Sequence, residues 1–354
     1  MIRDCSGNLV VHPSDALVNT VNTVGVMGKG IALQFKRAYP EMFKAYARAC
    51  NAGEVQLGKM HVWETHQLSG PRYIINFPTK GHWKANSRMT DIEQGLVDLV
   101  RVIDDFSITS IAVPPLGCGN GGLAWSDVRP LIETALDKLQ LDVCLFSPGA
   151  TPDAAAMPVV TPKPSLTRMR ACLLSIMDRY AQRSVGASLL EVQKAMYFFE
   201  VVDGTQKLRF AKGNYGPYSQ VVDHMVKGLE GHYILGFGDG SKLVTDVAPL
   251  FVSQEGRAEA DALLVDEPAI GGSIDVVLDF VEGFETAYFM ELLATLHFLA
   301  QGNDAVRTDP ELAGELVRSW SVRKAGLFGH AHVQTCWERL RDFNWLVPVR
   351  GGTS

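Results

Sequence analysis

The chain lacks several features that would assign it to a common class of protein. No apolar run approaches the about 18 residues of a membrane-spanning helix, and the N-terminus has no signal-peptide core. We therefore expect a cytoplasmic protein with no membrane partner. The six cysteines form no C-x-x-C pair, and no His, Cys or Asp set has zinc-ligand spacing. We expect neither a disulfide framework nor a metal site. The G-x-S-x-G elbow of many serine hydrolases is also missing.

A surplus of positive charge is missing too. The 354 residues have a net charge of −6. Residues 1–164 hold 15 basic and 15 acidic side chains, whereas residues 165–354 hold 18 basic and 24 acidic ones. An acidic half argues against free nucleic acid as its partner and favours a basic protein surface.

The chain is long enough for two domains of ordinary size. Apolar strand-like runs alternate with helical patterns up to residue 150, beginning with a strand predicted at 8–12, and this alternation predicts an α/β sheet. Residues 151–164 are rich in Pro, Ala and Thr, which is typical of a linker. Amphipathic helices dominate residues 165–354, so we predict a mainly α-helical second domain there.

Two glycine-rich loops follow predicted strands. Residues 16–32 begin as a buried strand, break at Gly25, Gly28 and Gly30, and resume as a helical pattern. Strand, glycine-rich turn and helix start together can cradle a phosphate, because backbone N–H groups and the helix dipole point into the loop. A second such loop is predicted at 117–122. The spacing is neither a dinucleotide fingerprint nor a P-loop, and an ordinary tight turn remains the alternative.

Lys80 follows a predicted strand between these two loops, and Pro78 fixes the exit of that strand. A lysine that is desolvated, or close to a second cation such as Lys84, can act as an amine nucleophile. The alternative is a solvated surface lysine. His82 is either an acid–base group or a structural histidine, and Cys118 is either reactive or simply small enough for its loop.

Asparagines and an acidic strip complete the candidates. Asn19 and Asn22 could bind ribose hydroxyls or cap the turn locally. One basic residue, Arg257, interrupts a strip of acids made of Asp246, Glu255, Glu259, Asp261, Asp266, Glu267, Asp275, Asp279, Glu282, Glu285 and Glu291. The same strip carries Phe280, Phe284, Tyr288 and Phe289. It could occupy a basic, aromatic-lined DNA groove of a partner, or be an ordinary solvated face with core aromatics.

Four motifs resemble a known family: V-N-T-V-N at 18–22, G-V-M-G-K-G-I-A at 25–32, I-N-F-P-T-K at 75–80 and P-L-G-C-G-N-G-G-L at 115–123. They are similar to macrodomains, which bind ADP-ribose. Within macrodomains they resemble the DarG antitoxins, which are paired with DarT toxins that ADP-ribosylate bases of single-stranded DNA. Y-G-P-Y at 215–218 and E-L-L-A-T at 291–295 look like the second domain of that family.

The resemblance implies a three-layer α/β/α macrodomain followed by a mainly helical domain that binds a DarT-type toxin. It implies a DNA ADP-ribosyl glycohydrolase that acts on single-stranded DNA, with thymine as the favoured base, and releases ADP-ribose without cofactor or metal. Lys80 and Asn22 match the residues that the family uses at the reacting ribose. The ADP-ribose contacts implied are Asn8, Leu9, Asn22, Gly25, Val26, Met27, Gly28, Lys29, Gly30, Ile31, Thr79, Gly117, Cys118, Gly119, Asn120, Gly121, Gly122 and Leu123.

The residues leave some alternatives open. The sequence has Asn8 where many macrodomains use an Asp for adenine, and Asn120 where related hydrolases have a second-loop Asp. Lys80 could attack the ribose as an amine, or stabilise charge while a bound water attacks. The chain could accordingly be a hydrolase, an ADP-ribose reader without turnover, or an antitoxin that only sequesters its toxin.

Overall fold

The structure is a computed structural model that describes residues 1–67, 69–149, 151–241 and 249–347. The chain forms two compact units, the first comprising Met1–Lys163 with Gly238–Lys242, the second Pro164–Phe237 with Leu243–Ser354. The domain limits predicted at 150 and 165 remain predictions. Across the described ranges, none of the helices has the length and apolarity needed to traverse a bilayer.

The described residues of the first unit form six strands and four α-helices, with short 3-10 turns at Leu9–Val11 and Ala154–Ala156. In chain order the elements are β1 (Ile2–Cys5), β2 (Ala16–Asn22), α1 (Gly30–Ala38), α2 (Pro40–Asn51), β3 (His61–Glu64), β4 (Tyr73–Lys80), α3 (Met89–Asp105), β5 (Ser110–Val113), α4 (Trp125–Leu136) and β6 (Asp142–Phe146).

The six strands form one sheet in the order β1-β6-β5-β2-β4-β3. All neighbours pair in parallel except β3, which is antiparallel to β4 at one edge. Strands β5, β2 and β4 are therefore adjacent and run in the same direction. Their carboxyl ends lie side by side at one edge of the sheet, which is where ligands bind in open α/β folds.

Both faces of this sheet are covered, and alternate residues of each strand point to opposite faces. Leu17 and Ile74 pack with the helices α1 and α2, whereas Val18 and Ile75 pack with α3 and α4. These four side chains are fully buried. Apolar residues on both faces explain why the strands read as continuous hydrophobic runs. The predicted three-layer α/β/α arrangement is confirmed.

Two expectations about the first unit are corrected. Residues 8–12 do not form a strand: Leu9–Val11 is a 3-10 turn, and the edge strand is β1 instead. The side chain of Asn8 accepts a hydrogen bond from Val10 N, which favours a turn over an extended chain. The cysteines are not all isolated either, because Cys5 and Cys144 form a disulfide between neighbouring strands.

The second unit is mainly helical in the described residues, as predicted. Its helices are α5 (Arg168–Ala181), α6 (Leu189–Asp203), α7 (Gln220–Leu229), α8 (Gln254–Leu264), α9 (Pro268–Val281), α10 (Ala287–Gly302), α11 (Pro310–Ser319), α12 (Val322–Leu327) and α13 (His330–Asp342). Two short antiparallel pairs accompany them, formed by β7 (Ala211–Gly213), β8 (Gly216–Tyr218), β9 (Ile234–Leu235) and β10 (Phe251–Val252).

Helix α6 lies in the centre of this unit, and its residues from Leu190 to Phe199 are all buried. Ser188 and Glu191 form a capping box at its start, and Gly204 ends it in a left-handed conformation. Helix α10 is also largely buried, and α9 buries one face. A central helix that is buried all round needs neighbours on every side, which explains the bundle.

Two members of the acidic strip lie in the interior, contrary to a surface role. Phe280 is fully buried and its ring stacks on Trp345 at 4.4 Å between centroids. Glu291 is buried as well, and its carboxylate bonds to Arg323 and Lys324. Asp246 lies outside the described residues.

Candidate active site

Three consecutive strand ends form the base of the candidate site. Strand β2 ends at Asn22, β4 at Lys80 and β5 at Val113. The register shifts between Val21 and Asn22, and this shift makes Asn22 the pairing partner of Lys80. The two residues that the sequence singled out for the reacting ribose therefore lie side by side at the sheet edge. We name the segments that follow these strands the first loop (23–29), the lysine turn (81–87) and the second loop (114–124).

The amine of Lys80 connects strand β4 to the second loop. Its Nζ donates a hydrogen bond to the Asn120 carbonyl oxygen at 2.8 Å. The side chain is partly buried, and this burial lowers the pKa of Lys80 from its ordinary value. The sequence offers Lys84 as a second cation that could lower this pKa, but Lys84 Nζ lies over the Trp83 ring, and desolvation is the cause of the lowered pKa of Lys80.

The first loop presents unpaired backbone donors. The N–H groups of Met27, Gly28 and Lys29 have no hydrogen-bond partner within the described protein. Helix α1 begins directly after them at Gly30, and no side chain caps its start. Free N–H groups at an uncapped helix N-terminus form a favourable anion site, because the helix dipole adds positive potential there.

The second loop has the same property and is held in shape by glycines. Across the described chain, the N–H groups of Gly119, Asn120 and Gly121 also lack a protein partner. A Cβ at Gly121 would lie 2.3 Å from Ser87 Oγ, so that position accepts only glycine. Gly117 adopts a φ of +71°, and its carbonyl accepts a hydrogen bond from Leu123 N.

The first and second loops approach each other closely. Gly30 has a φ of +63°, and a Cβ at this position would lie 3.3 Å from Asn120 Nδ2. The lysine turn is tied to both loops, because Thr23 Oγ1 donates to the Gly81 carbonyl and Ser87 N donates to the Gly121 carbonyl. Two sets of free amides and one amine thus belong to a single connected cluster.

The side chain of Asn22 holds the first loop together. Its Oδ1 accepts hydrogen bonds from Val24 N at 3.0 Å and Val26 N at 3.3 Å, and its Nδ2 donates to the Val26 carbonyl at 2.6 Å. Tyr46 Oη donates to the Asn22 backbone carbonyl at 2.6 Å. Asn22 therefore shapes the loop, and its contact with a ribose stays a prediction. Asn19 is fully buried and donates to Asn76, so it has a structural role.

The remaining predicted contacts vary in how accessible they are. Asn8 uses both ends of its amide, because Oδ1 accepts from Val10 N and Nδ2 donates to the Ala156 carbonyl. Leu9 and Thr79 are buried, whereas Val26, Gly119 and Gly122 are exposed. Gly25, Ile31 and Leu123 are partly buried. Direct ligand contacts by these residues stay predictions.

Cys118 is not suited to nucleophilic attack. Its Sγ bonds to the Leu116 carbonyl, and burial, reinforced by the Asp127 carboxylate, raises the pKa of the Cys118 thiol to about 11. The thiol is therefore protonated near neutral pH, whereas the thiolate is the reactive form. This favours the interpretation of Cys118 as a small residue that fits its loop.

Asp239 is a contributor that sequence reasoning missed. Its backbone carbonyl accepts the N–H of Gly30, and its carboxylate accepts a hydrogen bond from Gln34 at 2.7 Å. Arg37 donates to the neighbouring Gly238 carbonyl at 2.6 Å. The N–H of Gly30 is thus already paired. A segment so distant along the chain leaves no local pattern near the glycines, so no sequence signal could have indicated it.

The sheet, the two glycine-rich loops and the lysine between them define a macrodomain. The family model described as Macro domain matches residues 18–132. A relative from Mycobacterium tuberculosis, named DNA ADP-ribosyl glycohydrolase, is 44% identical over 353 residues, covering 96% of this chain and 99% of the relative. The chain belongs to the family of DNA ADP-ribosyl glycohydrolases.

Two further similarities cover part of the chain. The macrodomain of Mycobacterium tuberculosis DarG is a solved structure with 57% sequence identity, which covers 42% of this chain and 99% of that one with a TM-score of 0.42. A Thermosipho africanus protein, named as a fusion of a DNA ADP-ribosyl transferase and a DNA ADP-ribosyl glycohydrolase, is 36% identical over 157 residues. That match covers 40% of each protein.

Proposed function

We propose that this enzyme removes ADP-ribose from a modified base of single-stranded DNA, with thymine as the favoured base and Lys80 as the catalytic residue. Membership of the DNA ADP-ribosyl glycohydrolases makes it a hydrolase. The observation that carries the residue assignment is the position of the Lys80 amine, which reaches the Asn120 carbonyl between two loops with free amides. The reaction belongs in the cytoplasm, where single-stranded DNA arises.

The two loops supply the binding energy for the ADP-ribose diphosphate. The first and second loops each contain N–H groups without a partner in the described residues, and the uncapped start of α1 adds positive potential. Such donors bind phosphate oxygens without a cation. This leaves the anomeric carbon of the distal ribose to lie against the sheet edge near Lys80 and Asn22.

Two chemical routes from this arrangement have the same net reaction. In the first, the neutral Lys80 amine attacks the anomeric carbon, and the bond to the DNA base breaks with its electron pair on the base, which takes up a proton. Water then hydrolyses the covalent intermediate, releasing ADP-ribose and the free amine. In the second route, protonated Lys80 stabilises charge while a bound water attacks the same carbon.

The test is hydrolysis of an ADP-ribosylated single-stranded oligonucleotide by a Lys80→Ala variant. We expect the rate to fall on the order of 10²-fold or more, because a nucleophile or charge-stabilising group is removed. Calorimetric titration should find the affinity for free ADP-ribose within about tenfold of the original, because the loops bind the diphosphate.

Lys44→Ala, on the exposed face of α2, is the matched control and should keep full activity. An unchanged rate in Lys80→Ala would remove Lys80 from the mechanism. Binding of ADP-ribose without turnover by the unaltered chain would instead support the reader alternative.

The proposal extends to a protein partner for the second unit. We propose that the partner of the second unit is a DarT-type DNA ADP-ribosyltransferase, which binds to this acidic helical unit. Two observations support this partner: the acidic balance of residues 165–354, and the Thermosipho africanus protein whose name joins the two activities in one chain.

A further inference from the structure

The lysine turn contains a run of exposed residues immediately after Lys80. Residues 82–86 are all exposed, although the segment is fixed at both ends. Gly81 bonds to the first loop through Thr23, and Ser87 bonds to the second loop through Gly121. Within the turn, Ala85 N donates to the His82 carbonyl. An exposed segment held this firmly can present side chains in a defined position beside the amine.

The exposed large hydrophobic side chain of this turn is that of Trp83. Trp83 is 48% exposed, which is unusual for a tryptophan because its large apolar surface favours burial. The His82 ring lies 5.4 Å from it, and Lys84 Nζ lies 4.9 Å from its centroid. The His82 ring also accepts a hydrogen bond from Lys84 N. The three side chains form one surface that we name the tryptophan platform (82–84).

The cations nearest to this platform along the chain are lysines. Residues 77–90 contain Lys80, Lys84 and Arg88 but no Asp or Glu. Arg88 pairs with Asp91 at 3.0 Å, so Lys80 and Lys84 are the cations that we assign to the platform. Single-stranded nucleic acid is bound elsewhere by this same combination, in which bases stack on aromatic rings while nearby cations contact the phosphates. A protein partner would be expected to need a broader apolar surface than a single indole.

We propose that the tryptophan platform binds the DNA strand beside the modified nucleotide, with Trp83 stacking on a neighbouring base and Lys84 contacting a phosphate. This rests on the proposed function and adds the strand contact to it. The proposal explains why an exposed indole is positioned three residues after the catalytic lysine. It also gives the enzyme a means of preferring modified DNA over free ADP-ribosyl nucleosides.

The test compares two substrates in the full-length protein. Trp83→Ala should raise KM for an ADP-ribosylated oligonucleotide about 5- to 100-fold, the range of one lost base stack. It should change turnover of the corresponding ADP-ribosylated mononucleoside less than about twofold, because that substrate has no neighbouring base. Trp83→Phe should restore most of the oligonucleotide affinity, and Phe106→Ala, another exposed aromatic of the same unit, is the control.

The outcomes separate this proposal from the proposed function. Equal losses on both substrates would mean that Trp83 supports the lysine turn and does not bind the strand. No loss on either would overturn the platform. If the unaltered protein hydrolyses neither substrate, the proposed function fails. Binding of unmodified single-stranded DNA, measured by fluorescence anisotropy with and without Trp83, then still tests the platform.

A second, independent cluster lies where β1, at one side of the sheet, pairs with β6. Cys5 of β1 and Cys144 of β6 are linked, and their Cα atoms are 5.6 Å apart. His12 Nε2 lies 3.2 Å from Cys144 Sγ. The two sulfur atoms and a ring nitrogen of His12 all lie within 4.8 Å of one another. Nothing in the sequence indicates this group, because its residues come from opposite ends of the first unit and only the folded sheet brings them together.

The chemistry of the three groups suits a borderline-soft cation. Two thiolates and one imidazole are ligands that Zn²⁺ prefers. The His12 ring is oriented by its other nitrogen, because Nδ1 hydrogen-bonds to Ser14 Oγ at 2.9 Å. Such a partner fixes the imidazole so that Nε2 points at the sulfur atoms, as in many zinc sites.

We propose that Cys5, Cys144 and His12 bind Zn²⁺ when the cysteine pair is reduced, with water as the fourth ligand. The disulfide is the oxidised alternative, which excludes the metal. A phosphine reductant and one water convert the disulfide into two thiols, taking up two electrons and two protons, while the phosphine becomes its oxide. The two thiols then lose their protons on binding Zn²⁺.

Thiol counting and metal binding test this site without any activity measurement. Thiol titration of the denatured oxidised protein should find four thiols, those of Cys50, Cys118, Cys172 and Cys336. Phosphine treatment should raise the count to six, the cysteine content of the sequence. The refolded, reduced protein should then bind one equivalent of Co²⁺, used as a Zn²⁺ probe, with a thiolate-to-cobalt charge-transfer band.

The Co²⁺ band should be lost in Cys144→Ser and weakened at least about tenfold in affinity in His12→Gln. Cys50→Ser, a free cysteine of the same unit, is the control and should keep the band. Absence of the band from the reduced protein, or its persistence in Cys144→Ser, would overturn the metal site.

Discussion

At the scale of single residues, the protonation state of Lys80 distinguishes the two chemical routes. Burial lowers the pKa of Lys80 below its ordinary value of about 10.4. If the neutral amine attacks, the single-turnover rate should rise with pH up to that lowered pKa. If the protonated amine stabilises charge, the rate should fall with rising pH through the same pKa. A pH–rate profile between about pH 6 and 10 shows whether the rate rises or falls with pH.

Chemical trapping is the control for this prediction. The glycosylamine that forms when the Lys80 amine displaces the base opens to an imine, which borohydride reduces to a stable adduct. Mass spectrometry should then locate ADP-ribose on Lys80 in the original protein and nowhere in Lys80→Ala. A rising profile without an adduct would contradict covalent catalysis.

Two glycines separate a steric effect from an electrostatic one. A Cβ at Gly121 would collide with Ser87 Oγ and with the Gly117 carbonyl oxygen at 2.4 Å, so Gly121→Ala should distort the second loop. At Gly28 the nearest atom would be 3.8 Å away, so Gly28→Ala should change ADP-ribose affinity less than about threefold. Gly28→Glu, by contrast, adds a negative charge beside the diphosphate and should abolish binding.

Calorimetric titration with ADP-ribose measures these three affinities, and circular dichroism checks that each variant is folded. If a folded Gly28→Glu variant binds normally, the first loop is an ordinary turn and does not contact phosphates. Equal losses in Gly28→Ala and Gly28→Glu would show that the glycine is needed for backbone reasons alone.

Single residues also show which features of the candidate site could be predicted from the sequence and which could not. Lys80 and the glycines were predictable, because strand ends and glycine spacing are local patterns. The hydrogen bonds of Asn22 and Asn8 were not, because an amide can serve a ligand or its own loop with the same sequence. Asp239 was beyond reach for a different reason: only the folded chain brings it to Gly30.

At the scale of elements, periodicity gave most of the fold. The apolar runs at 110–113 and 142–146 predict two strands, and the periodic segment at 330–342 predicts a helix; β5, β6 and α13 have these bounds. The sequence also predicts a helical stretch up to about Cys50 that is bent or broken at Pro40, and α2 starts at Pro40. Proline favours the first turn of a helix, because it needs no N–H there. The strand predicted at 8–12 was wrong for a local reason, because a short apolar run does not distinguish a strand from a 3-10 turn.

A buried ionic cluster joins helices α10 and α12 of the second unit. The Glu291 carboxylate accepts hydrogen bonds from Arg323 at 2.7 and 3.1 Å and from Lys324, whose side chain is fully buried. Glu291→Gln removes the negative charge and leaves the Lys324 cation buried without its partner. We expect a loss of about 3–5 kcal/mol in the free energy of unfolding of this unit.

Chemical denaturation followed by tryptophan fluorescence measures this loss, with the transition of each unit fitted separately. Glu282→Gln is the matched control, because Glu282 is exposed and its change should cost less than about 0.5 kcal/mol. A loss below about 1 kcal/mol in Glu291→Gln would mean that Lys324 loses its proton at little cost.

At the scale of the whole molecule, the acidic strip carries less unpaired charge in the structure than in the sequence. Arginines of α5 and of the residues just after it lie across from several acids of the strip: Arg168 pairs with Glu267 at 3.2 Å, and Arg183 pairs with Asp279 at 3.3 Å. Arg179 pairs with Asp275 in the same way. Counting charges along one window misses such pairs, because it omits the neighbouring helix.

Two of the remaining acids, Glu282 and Glu285, lie close in the chain to partly buried aromatic rings. Glu282 is exposed and Glu285 is half-buried. Close by in the chain, Phe284, Tyr288 and Phe289 form an aromatic group, with centroids of Phe284 and Phe289 5.5 Å apart and those of Tyr288 and Phe289 5.1 Å apart. Carboxylates beside aromatic rings carry the charge and the flat surfaces that a single-stranded DNA groove recognises.

We predict that this group occupies the DNA groove of the toxin. Lys80→Ala in the full chain should bind the toxin with unchanged affinity, because Lys80 belongs to the first unit. Glu282→Lys combined with Glu285→Lys should weaken binding at least about tenfold at low salt, and less at high salt where charges are screened. Glu93→Lys, an exposed acid of α3, is the control.

Surface plasmon resonance with immobilised toxin measures the affinities, and single-stranded DNA added as competitor should displace the protein. Binding that excess DNA leaves unchanged would mean that the second unit holds the toxin at another surface.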